Sequence, residues 1–126
     1  MARNLTRLAL PRIPWSKIKN RVLFAEYDLS LVFVGDAEMK RINGRYRRKN
    51  KPTNVLAFGL GKNYGEIFID LPFVAREAKS AGMSVRTRLI FLYIHALLHL
   101  KGFGHDNAKQ SKIMNKMEQK WLEILS

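Results

Sequence analysis

With 126 residues, 47% of them hydrophobic, the chain is long enough to bury a core as one domain spanning 1–126, without cross-links. It has no cysteine, which excludes zinc fingers, iron–sulfur clusters and thiol catalysis and agrees with a reducing compartment. Its 23 Lys and Arg against 10 Asp and Glu give a formal net charge of +13, which attracts polyanions, nucleic acid ahead of an anionic membrane.

In chain order, the opening segment MARNLTRLALPRIPW is basic, without the apolar stretch of a signal peptide. Its first dozen residues read as an edge strand, with Leu5, Leu8 and Leu10 partly buried. Trp15–Phe24 follows as a helix, with Ile18, Val22 and Leu23 near helical spacing. Asp28–Gly35 is a β-rich apolar run and is expected as a strand. Asp36 is placed to cap a short helix, Ala37–Tyr46, that turns Met39 and Ile42 inward. A basic loop, RRKNKPTN, leads to a short strand at Val55–Phe58, ended by the glycines of GLGKNYG. Glu66–Asp70 reads as the next strand, and the short connection suggests a hairpin.

Asp70 can cap the helix that follows, with Pro72 in its first turn and Gly82 near its end. That helix carries Phe73, Val74 and Ala78. Arg86–Leu100 is expected as a central apolar helix. Its longest apolar run, Leu89–Leu100, falls short of the roughly 20 residues a membrane span needs, so no membrane association and a cytoplasmic location are expected. Asp106 or Asn107 would cap a last helix presenting Ile113, Met114, Met117, Trp121 and Leu125 on one side. Strands come first and helices mainly last. The fold class is therefore α+β, a small mixed sheet packed by helices, with the central apolar helix carrying two metal-binding histidines.

All three histidines fall within eleven residues, His95-Ala-Leu-Leu-His99-Leu-Lys-Gly102-Phe-Gly-His105. His95 and His99 are four apart, so on a helix both rings leave one face. Gly102 and Gly104 can end the helix and return His105 toward the first two. Two imidazoles in an apolar run each need a polar partner, and a metal ion supplies one to all three. Zinc, one per chain, is the expected ion, with its fourth position left open to water. The spacing is shared with the His-Glu-x-x-His-x-x-Gly-x-x-His motif of metzincin proteases, but Ala96 stands where the protease has its general base.

The segment HALLHLKGFGHD resembles the signature of the YbeY family of endoribonucleases, bacterial ribosomal RNA maturation factors, usually His-Gly-x-Leu-His-Leu-x-Gly-Tyr-Asp-His. Tyr46 to Phe58 resembles the family's Tyr-Arg…Thr-Asp/Asn-Val-Leu-Ser-Phe, and Gly65-Glu66-Ile67-Phe68-Ile69 its Gly-Asp-Ile-x-Ile strand. Order and spacing agree from about Asp28 onward. The chain departs from the pattern at Gly104 for aspartate, Ala57 for serine, Gly59 for a common proline and Glu66 for aspartate.

The resemblance implies a zinc-dependent, single-strand-specific endoribonuclease acting on ribosomal RNA at the small ribosomal subunit. His95, His99 and His105 would be its metal ligands and catalytic centre. The bound water would either attack phosphorus or deprotonate the 2′-hydroxyl. Arg47, at the family's arginine, would stabilise charge on the phosphoryl oxygens. Arg48, Lys49 and Lys51 would track the RNA backbone without reading bases. Asn54 would orient a phosphate or shape the turn before the strand, and Asp106 would cap the last helix or support a histidine. Tyr46, Tyr64 and Phe103 are aromatics that stack on bases or join the core. The alternative is a non-catalytic RNA-binding assembly factor in which the metal only ties two helices together.

Overall fold

The computed structural model describes residues 1–102 and, beyond them, the exposed helical positions Lys112, Asn115, Lys116, Gln119, Lys120 and Glu123. The expected cap and apolar side of the last helix lie outside the described residues, as do Phe103, Gly104, His105 and Asp106.

The elements run β1 (Ala2–Asn4), α1 (Trp15–Val22), β2 (Asp28–Val34), α2 (Asp36–Arg47), β3 (Val55–Gly61), β4 (Tyr64–Asp70), α3 (Leu71–Ala81) and α4 (Val85–Lys101). The strands form one mixed sheet in the order β1-β2-β4-β3. β1 and β4 each pair with β2 in parallel, and β3 pairs with β4 antiparallel. The expected α+β arrangement is therefore present.

Period-2 alternation decides what each face of the sheet carries. Leu29, Leu31 and Phe33 of β2 join Ile67 and Ile69 of β4 in the larger core, with α1, α3 and α4. Val32 and Val34 of β2 turn the other way and meet Met39 and Ile42 of α2 with Leu56 of β3. Helix α4 is apolar around most of its girth because it runs through the larger core. Its Tyr93 is fully buried, and the ring's hydroxyl donates to the Trp15 carbonyl at 2.9 Å.

Several local expectations need correction. The edge strand is only three residues long, and Leu5 and Leu8 are exposed rather than partly buried, since no described element packs over the chain after β1; Leu10 does pack on the core. Asp36 is the first helical residue of α2, not its cap. The cap position is Gly35, and the Asp36 carboxylate instead accepts from Arg76 at 3.0 Å. The glycines after Phe58 do not end β3. Gly59 and Gly61 pair within the hairpin, a register shift lies between them, and the turn is Lys62–Asn63. None of these glycines has positive φ, so all tolerate extended backbone.

Other punctuation stands as expected. Asp70 Oδ1 accepts from the Phe73 N–H at 3.1 Å, and Pro72 lies in the first turn of α3. Gly82 and Gly102 close α3 and α4 with φ of 67° and 113°, angles that favour glycine. Ser84, which the sequence reading did not single out, caps α4 by accepting from the Thr87 N–H. Among the described residues, no helix is long and apolar enough to cross a membrane.

Among the described residues three polar side chains are buried: Lys19, Asn43 and Asp70. Lys19 of α1 turns inward and its ammonium donates to the carbonyls of Phe24, Ala25 and Tyr27 at 3.3, 2.9 and 2.9 Å. Asp70 is fully buried between the starts of α2 and α3. Burial, and then the neighbouring Asp36 carboxyl, push its pKa up to about 7. Asp36 is held below the usual carboxylate range, chiefly by the Arg76 guanidinium. Asp70 Oδ2 is buried without a hydrogen-bond partner among the described residues, and the Asp36 carboxyl beside it adds to the upward push on its pKa.

Candidate functional site

β3 is an edge strand, and α4 packs against it. Between them lies a cleft of about 610 Å³. Its walls bring together Arg47 from the last turn of α2, Asn54 and the strand Val55–Gly59, and His95 and His99 from α4. Residues far apart in the chain therefore meet in one place. The sheet order achieves this by setting β3 outermost, next to the end of α2 and along α4.

The two histidines behave as the helical spacing predicts. Their Nε2 atoms are 3.1 Å apart and their ring centroids 4.7 Å apart. His95 is half-buried and stacks on Phe91 at 6.4 Å, while His99 is exposed to the cleft. Phe91 in turn lies beneath the Arg88 guanidinium at 5.4 Å. The third expected ligand, His105, lies outside the described residues. Among the described residues, no three His, Asp or Glu side chains are grouped to hold a metal.

Arg47 is exposed and lines both this cleft and an adjoining pocket of about 510 Å³. Lys49 and Lys51 line the adjoining pocket, with Asn54 shared between the two. Arg48 lines neither; it ends α2 in a left-handed conformation with φ of 55°. The basic loop is thus split, with Arg47, Lys49 and Lys51 facing the pockets and Arg48 turning the chain.

Asn54 is committed within the protein. Its carbonyl accepts from the Asp70 N–H at 2.9 Å, and its side-chain amide donates to the Glu77 carboxylate at 3.2 Å. Glu77 also accepts from Arg88 at 3.4 Å. Sequence reading missed Glu77, because a lone Glu on an amphipathic helix carries no signal of the strand start 23 residues earlier.

The chain matches the family model described as Endoribonuclease YbeY over residues 13–126. It is 37% identical over 107 residues to a protein of Chelativorans sp. named Endoribonuclease YbeY, covering 78% of this chain and 66% of that one. It is 32% identical over 132 residues to the protein of that name from Geobacter metallireducens, covering 94% of this chain and 86% of that one. Among solved structures it is similar to a solution structure from Thermotoga maritima, with a TM-score of 0.67 at 28% identity, covering 87% of this chain and 75% of that one.

Proposed function

The chain belongs to the endoribonuclease YbeY family, and on that premise we propose that it is a zinc-dependent, single-strand-specific endoribonuclease of the cytoplasm. Its substrate would be ribosomal RNA in the small subunit, where it would process the 3′ end and take part in ribosome quality control. What carries the reading is one juxtaposition: Arg47, His95 and His99 line a single cleft in a chain of net charge +13.

The donor set fits the proposed ion. Two nitrogens held about 2.0–2.1 Å from one tetrahedral zinc stand about 3.3 Å apart. The Nε2 atoms of His95 and His99 are 3.1 Å apart. Residues His95 and His99 would hold the ion from α4, with His105 as the third ligand. Zinc, when bound with an open position, lowers the pKa of its water to near neutrality.

The remaining work falls to the chain's own groups. Arg47 offers two parallel N–H donors to phosphoryl oxygens that gain charge as the phosphodiester is cleaved. Its exposed position at the mouth of the cleft leaves the guanidinium accessible to a strand. Lys49 and Lys51, in the adjoining pocket, hold flanking phosphates without regard to base. Asn54, tied to Glu77 and Asp70, fixes the start of β3 and hence the wall opposite the histidines.

The test is metal content and cleavage together, on protein without a histidine tag. Wild type is expected to hold about one zinc per chain and to cleave single-stranded RNA. His99→Ala should lose the metal and lower cleavage more than ~100-fold while still binding RNA. Wild-type protein that takes up no zinc when offered it, or a His99→Ala variant that cleaves as well as wild type, would overturn the reading.

A further inference from the structure

We infer that Tyr46 is a stacking platform for a base of the RNA strand whose phosphate Arg47 receives, an inference that rests on the function proposed above. Tyr46 falls on the inward stripe of α2, four residues after the buried Ile42 and seven after the buried Met39. A tyrosine at that position is expected in the core, yet it is 60% exposed, more than the other tyrosines described. Among the described residues the ring leans on one other aromatic edge. That edge is Phe58, whose ring centroid is 5.4 Å away at 55°. Phe58 is itself backed by Phe68 at 6.1 Å.

The surroundings identify the occupant. Phe58 borders the cleft, but its ring packs on the α2 face of the sheet with Leu56, so the Tyr46–Phe58 surface lies across the edge strand β3 from His95 and His99. The next residue along the helix is Arg47, already at the cleft mouth. The Arg45 guanidinium stands 5.4 Å from the Tyr46 ring centroid. An exposed aromatic ring held by a second ring and flanked on both sides in sequence by arginine suits a flat group carried on an anionic chain. A nucleobase on its phosphate backbone has that combination, and stacking on it requires no particular base. An apolar peptide side chain would fit the ring but not the two guanidinium groups.

The experiment compares wild type, Tyr46→Phe and Tyr46→Leu in binding two fluorescently labelled strands of equal length and charge. One is a single-stranded RNA oligonucleotide; the other is the same ribose-phosphate chain without bases. Anisotropy is read with and without added zinc, so the result does not depend on cleavage, and thermal melting checks the fold of each variant. Wild type is expected to prefer the base-bearing strand about tenfold. Tyr46→Phe keeps that preference, and Tyr46→Leu loses it while binding the abasic strand as wild type does. An unchanged preference in a folded Tyr46→Leu variant overturns the stacking role alone. Failure of wild type to bind either strand overturns the stacking role and the RNA reading with it.

Discussion

Asn54 and Glu77 join the rim of the cleft to α3: the asparagine amide donates to the carboxylate at 3.2 Å, and Arg88 donates to the same group at 3.4 Å. Groups that share one partner couple. Asn54→Ala and Glu77→Ala, measured singly and together by denaturant unfolding, should therefore be non-additive by about 0.5–1 kcal/mol. Additive losses would mean that the contact does not contribute. Glu77→Ala should be the worse single change, because it also strips Arg88, whose Nε is already buried without a partner among the described residues.

Arg47 makes no internal ion pair among the described residues, so its removal should leave the melting temperature unchanged. Under the proposed function, Arg47→Ala should lower kcat roughly 100-fold, the scale of losing one donor to a developing oxyanion. Arg47→Lys should restore little, since an ammonium cannot make two parallel bonds to one phosphate. Steady-state cleavage of a single-stranded oligonucleotide separates these outcomes. A full recovery with lysine would reduce Arg47 to a simple positive charge.

The Asp36–Asp70 pair predicts a pH dependence of stability with a definite sign. Asp70 has its folded pKa raised to about 7 by burial and by Asp36. The folded state therefore keeps a proton that the unfolded state releases near the ordinary value of 3.8. Linkage makes the contribution fully present below the unfolded value, and it is lost as pH rises through about 7. Asp36, held low by Arg76, acts in the opposite direction, below pH 3.8. Melting temperature should therefore fall between pH 5 and pH 8, the interval over which the Asp70 proton, held to about 7, is given up. Asp70→Asn keeps an acceptor for Phe73 and supplies a permanent donor toward Asp36. It should flatten the profile and melt higher than wild type at pH 8.

Lys19 is the buried donor for three carbonyls that end α1 and shape the loop before β2. Lys19→Met preserves the stem but leaves those carbonyls without it. Chemical unfolding should show a loss of about 1–3 kcal/mol. Cleavage by the folded fraction should be unaffected, because the site lies at the opposite sheet edge, beyond β4. An unchanged midpoint would show that water replaces the ammonium at no cost.

What could be read from the sequence followed from how local the cause was. The β-rich apolar run at Asp28–Gly35 gave β2, Asp70 and Pro72 gave the start of α3, and the four-residue step from His95 to His99 gave a shared helix face. The hairpin was legible in kind but not in length, because Gly59 and Gly61 are held in β3 by pairing with β4 and not by their own propensity. The burial of Lys19 and Asp70 was invisible, since each depends on partners brought in by the fold. Arg47 was placed by resemblance alone; the sheet order is what carries it to the histidines.

One wall of the cleft is written in main chain. The Asp70 N–H bonds the Asn54 carbonyl, which fixes the alternation along β3 and leaves the N–H and C=O of Val55, Ala57 and Gly59 turned away from β4. Point substitutions there change bulk but leave that row of donors and acceptors intact, except where proline enters. Gly59 keeps an amide N–H along this rim that a proline at its position would lack. The wall opposite presents His95 and His99, whose contribution is carried by the side chains themselves. Substitutions along β3 therefore leave that row of main-chain groups in place, whereas His95 and His99 face it with side chains alone.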